Sequence, residues 1–152
     1  MPDKLKANMK FDKAALADGV LAHLEDIRME RSDEADVIRC CFDAANHLLP
    51  EVSDGGVVVE FHTEHEHFYD FNYKDMAHMA AAIASFLRDI MRHTVEFDYF
   101  RVQGRLIRYE VFLVDGDGRK RLLMKGRAGF SFFRKGEAKT TRIRFCEGEK
   151  NG

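Results

Sequence analysis

The sequence predicts an α+β protein in which helices gather on one face of an antiparallel sheet. Three observations carry that expectation. Residues 94 to 146 read as four alternating runs rich in β-branched and aromatic residues, cut by Gln103-Gly104, by Asp115-Gly116-Asp117-Gly118 and by Lys135-Gly136. Each of these is a hairpin signal, so the stretch predicts a four-stranded meander. Upstream, three segments repeat their apolar residues at helical spacing, with a β-branched run between the second and third.

Asp12 is placed to cap a first helix whose apolar residues are Leu16, Val20, Leu24 and Ile27. Ser32 is placed to cap a second, with Ile38, Cys41, Phe42, Ala45, Leu48 and Leu49 along one side and Pro50 as its stop. After the loop Ser53-Asp54-Gly55-Gly56, the run Val57 to Phe71 reads as one long or bent strand. Asn72 then caps a third helix, with Asp75 in a capping-box-like position and Met76, Met79, Ala80, Ile83, Leu87 and Ile90 as its core stripe.

Taking the first and third turns of the meander as two-residue turns and the Asp-Gly repeat as a four-residue loop sets its register, because side chains alternate faces. Glu96, Asp98 and Phe100 then share a buried face with Ile107, Tyr109, Val111, Leu113, Leu122, Met124, Phe130 and Ile143. The outer face collects Arg108, Glu110, Arg121, Lys125, Arg127, Arg142 and Arg144, with Phe97, Tyr99 and Phe112 among them.

At 152 residues and 45% apolar content the chain suits one domain, residues 1–152 with a core at 10–147. No apolar run reaches membrane-spanning length and the first ten residues lack the core of a signal peptide, so the expected location is cytoplasmic. Cys40, Cys41 and Cys146 form neither a disulfide framework nor a metal pair. The net charge of −2 hides an asymmetry: residues 1 to 100 hold 10 Lys or Arg against 20 Asp or Glu, and residues 101 to 144 hold 13 against 4. Such a split suits an acidic partner, or mutual attraction of the two halves.

The layout of helix, helix, strand, helix and meander, with V-E-F-x-x-F-x-V-x-G-R-L-I-R-Y-E-V-F, M-K-G-R-A-G-F-S-F-F-R-K-G-E and T-R-I-R-F in the last third, resembles the SnoaL-like branch of the nuclear-transport-factor-two-like superfamily over residues 10 to 147. The resemblance implies a cystatin-like cone, a curved antiparallel sheet wrapped around the long third helix behind two N-terminal helices. It also implies a pocket between sheet and helices and a homodimer through the outer sheet face. The superfamily spans isomerases, cyclases, dehydratases, epoxide hydrolases and non-catalytic binding modules, so fold alone does not choose among them. The hydrolase branch pairs an Arg-x-Asp on the second meander strand with an aspartate in the last. Here Arg108 and Glu110 stand at the first place and Ile143 at the other, which departs from that pattern.

The densest titratable run is His62 to Asp70. Alternation puts His65, His67 and Tyr69 on one face and Glu60, Glu64 and Glu66 on the other, and the preference of acids for water turns the histidines inward. A buried Asp98 beside Tyr109 and Phe100 would have a raised pKa, the arrangement used for proton abstraction next to a carbonyl or for dehydration. The candidate acid and base are Asp98, His65 and His67, and the candidate substrate contacts are Tyr69, Tyr109, Phe100 and Phe130. The same groups serve structure alone in a binding module. His65 and His67 lack a third metal ligand, no cofactor motif is present, and a small apolar carbonyl compound is the expected ligand. The basic outer face suits the acidic half of a second subunit better than nucleic acid, since no nucleic-acid motif accompanies it. The sequence therefore offers an acid–base enzyme, a non-catalytic dimeric binding module, and an anion binder working through the basic face.

Overall fold

The computed structural model describes residues 12–24, 29–31, 38–40, 48–53, 55–128 and 135–145. Among the described residues it is an α+β structure with two helices and antiparallel sheets. Contacts divide it into two compact units, residues 1–88 with 146–152, and Asp89–Phe145. No helix among the described residues is long and apolar enough to cross a membrane.

Helix α1, Lys13–His23, begins as its sequence dictates: the Asp12 carboxylate accepts the Ala15 amide at 3.2 Å, and Leu16, Val20 and Leu24 are buried. Where a second helix is expected, the described residues are strand instead. Met29–Arg31 (β1) pairs with Ile38–Cys40 (β2), and Leu48–Ser53 is strand β3, while the rest of that segment lies outside the described residues. Cross-strand pairing explains β3. Leu48, Pro50 and Val52 stand opposite Phe61, Val59 and Val57 of β4, Gly56–Phe61, and all six are buried. A period of two therefore prevails over the helical spacing read from the same residues. Pro50 is tolerated because β3 is a sheet edge.

The long strand expected over Val57 to Phe71 is a hairpin. β4 turns at His62 and Thr63, with φ +57° at His62, into β5, Glu64–Tyr69. Phe61 faces Glu64 across this turn, so Val57, Val59 and Phe61 share their face with Glu64, Glu66 and Phe68. Phe86 covers that face, its ring centroid 5.7 Å from Phe61 and 5.4 Å from Phe68. A single 3₁₀ turn, Asp70–Asn72, leads to helix α2, Met76–Arg92. Its cap is Asp75 rather than Asn72: the Asp75 carboxylate accepts the His78 amide at 2.9 Å. Met79, Ala80, Ile83, Leu87 and Ile90 form its buried stripe as expected.

The second unit holds β6 (Thr94–Val102), β7 (Arg105–Val114), β8 (Lys120–Arg127) and β9 (Glu137–Ile143) in the order β8-β7-β6-β9. Gln103 and Gly104 form the expected two-residue turn, both with positive φ, and Asp115 to Arg119 close the next connection. The meander stops there. β9 pairs with β6 instead of β8, so Lys135-Gly136 does not join neighbours.

Two bulges also overturn the expected register. Phe100 pairs with Arg108 and Arg101 with Leu106, leaving Ile107 as an extra residue on β7. Val111 pairs with Met124 and Phe112 with Leu122, leaving Leu123 extra on β8. Beyond the first bulge β6 is inverted relative to the turn-based register. Val95, Phe97 and Tyr99 are the buried side, packed with Val111, Leu113 and Phe145, and Glu96, Asp98 and Phe100 lie on the other face. Arg127 stands opposite Arg108. Arg144 donates to the Arg92 carbonyl at 3.2 Å, at the negative end of α2.

Candidate functional site

On the face of β6 that carries Glu96, Thr94, Asp98 and Phe100 are half-buried, and Glu96 is only 1% exposed. Two cations close over it. Lys120 Nζ lies 2.6 Å from Oε2 and Arg142 Nε lies 2.8 Å from Oε1, so each carboxylate oxygen takes one charged donor. Burial pushes this carboxyl up, and the bonds from Lys120 and Arg142, with a further contribution from Asp98, outweigh it and hold Glu96 below the ordinary glutamate range. Lys120 also lies 5.7 Å from the Phe112 ring centre.

Asp98, expected beside Tyr109, stands instead between Glu110 of β7 and Thr140 of β9, and accepts the Thr140 hydroxyl at 2.7 Å. It is half-buried. Tyr109 occupies the opposite face, across from Tyr99. The Ile107 bulge is the reason, since one added residue exchanges the faces. Phe100 does share the face of Asp98, but there it carries the Arg108 guanidinium 4.6 Å from its ring centre. Phe130 lies outside the described residues.

On β5 the inward orientation expected of the histidines is reversed. Phe68 takes the buried side, and His65, His67 and Tyr69 face outward, with Tyr69 42% exposed. They are brought together with one another. His65 meets His67 edge-on at 4.8 Å, His67 stacks on Tyr69 at 5.5 Å, and Tyr69 stacks on Phe71 at 5.2 Å. Among the described residues no group of three or more His, Cys, Asp or Glu side chains is placed to hold a metal ion. On the buried side, Tyr73 has its phenol pKa raised by burial and by the nearby Glu66 charge.

A third locus overlaps the basic outer face expected from the sequence. Arg108, Tyr109, Glu110, Lys125, Gly126 and Arg127 line a cleft of about 410 Å³. Arg108 and Arg127 are directly opposite on neighbouring strands, as are Glu110 and Lys125. The Tyr109 ring lies against the Gly126 backbone, where any β-carbon would collide with it. Alternation puts Arg108, Glu110, Lys125 and Arg127 on one face of this strand pair, three cations and one acid, and the Tyr109 ring over Gly126 on the other. Its lining comes from one hairpin, and only the β7–β8 register reveals it. A signal was present in the like charges that the Asp-Gly hairpin brings to one end of the pair. No family model, curated protein or solved structure matches the chain.

Proposed function

We propose that the protein is a non-catalytic binding module whose Asp89–Phe145 sheet takes a phosphate-bearing small molecule in the cleft between β7 and β8. The observation that carries this reading is the pairing of Arg108 with Arg127. Two guanidinium groups set opposite one another on neighbouring strands can grip one anion between them. Guanidinium groups suit phosphate because their donors form planar forks, and Lys125 adds a third cation. A volume of about 410 Å³ suits a small ligand. The unit as a whole carries 14 Lys or Arg against 7 Asp or Glu, which draws anions toward it. The acid–base enzyme is the weaker reading, because its central pair, Asp98 and Tyr109, lies on opposite faces of the sheet.

Titration with inorganic pyrophosphate and with phenyl phosphate, followed by heteronuclear NMR, tests the proposal. Shifts should centre on the β7–β8 hairpin and weaken with added salt. Arg108→Gln with Arg127→Gln should lower the affinity at least tenfold, about 1.4 kcal/mol or more. Equal binding by that double variant, or shifts confined to other strands, would remove the reading.

A further inference from the structure

β5 is an edge strand whose one strand neighbour among the described residues is β4. The Asp70 amide donates to the Gly55 carbonyl at 2.9 Å. Backbone groups alternate sides along a strand, so Glu64, Glu66 and Phe68 also turn theirs toward β4, and His65, His67 and Tyr69 turn theirs to the outer edge. These three also form the exposed ring ladder. The edge thus presents main-chain donors and acceptors beside a preformed aromatic stripe.

Its charges decide what it can pair with. Glu60 is opposite His65, Glu51 lies one strand further on the same exposed face, and Glu64 and Glu66 stand half-buried on the other side. A second β5 fits poorly: a two-fold centred on Glu66 sets that residue against its own copy, and one centred on His67 sets Glu64 against Asp70. Both oppose like charges. Inward-pointing acids are a guard against indiscriminate edge pairing, and a strand carrying cations at the matching positions is complementary to them in charge.

We infer that the β5 edge binds an extended basic segment of a partner protein, added as an antiparallel strand. The segment places an apolar residue beside Phe68, Lys or Arg two positions later beside Glu66, and a second cation two further on beside Glu64. Residues between these lie against the His65–His67–Tyr69 ladder, so main-chain bonds supply affinity and the acids supply selectivity. This inference is independent of the anion cleft, which belongs to the other unit.

The test uses the full chain and a short capped peptide with one valine and two lysines at alternate positions, threonine between them. Hydrogen exchange should slow at the amides of His65, His67 and Tyr69 when the peptide is added, and binding should weaken with salt. Glu64→Lys with Glu66→Lys, checked by circular dichroism for an unchanged fold, should weaken binding at least tenfold. A control peptide with glutamate for lysine should not bind. Protection elsewhere with none on β5, or equal binding of the lysine and glutamate peptides, overturns the inference. No binding of the lysine peptide to the unaltered chain overturns it as well.

Discussion

Glu96 and Lys120 are 24 positions apart in the chain and 2.6 Å apart in space, and the Arg142 side chain completes the closure over the same carboxylate. A buried charge is tolerated here because its two counter-ions keep their own solvent: Lys120 is 43% exposed and Arg142 58%. Glu96→Gln should therefore lower stability by about 1–3 kcal/mol, the range for hydrogen bonds to a charged group. The folded carboxyl titrates below its ordinary value of 4.5, so its contribution is complete above that value and is lost as pH falls through the depressed folded one. Urea melts at stepped pH should show a constant gap between wild type and Glu96→Gln at neutral pH that closes in acid. A gap that widens in acid contradicts the assignment.

Arg108→Gln removes two opposing contributions. It loses a cation–π contact of about 0.5–1 kcal/mol with Phe100 and relieves a repulsion of about 0.2–1 kcal/mol with Arg127. Stability of the ligand-free protein should stay within about 0.5 kcal/mol of wild type while phosphate affinity falls. Thermal melts with and without pyrophosphate separate the two effects.

Gly126 is required by the Tyr109 ring above it. Gly126→Ala should cost about 1–3 kcal/mol by overpacking. The cost should shrink when Tyr109→Leu is combined with it, since the two residues are in contact. Additive losses in denaturant melts would separate the glycine from the ring.

The bulge at Ile107 predicts cross-strand nuclear Overhauser contacts between Asp98 and Glu110, and none placing Asp98 directly opposite Tyr109. Deleting Ile107 makes Leu106 and Arg108 consecutive, so flush pairing should keep Asp98 opposite Glu110 and the same contacts should persist.

Where local chemistry has only one answer, the sequence was read correctly. Asp12 had a free amide to cap, Gln103-Gly104 had positive φ to supply, and α2 had an apolar stripe too regular for any other element. In β6 a second local signal was available and overridden. Val95, Phe97 and Tyr99 alternate with Glu96 and Asp98, and that pattern alone names the buried side correctly. Counting across the turn gave the opposite result, because the Ile107 bulge carries no glycine or proline to announce it. The β5 histidines were misplaced by the same kind of step, a two-residue turn inside what looked like one strand.

The sequence by itself determined the α+β class, the sign of the charge in each half, and which short segments turn, cap or coil, because these follow from properties of neighbouring residues. Only the tertiary structure decided which strand pairs with which, on which face each acid stands, and that Arg108 meets Arg127. The physical reason is that side chains alternate along a strand: one extra residue in a ladder exchanges inside for outside, and its small local cost leaves little trace in composition.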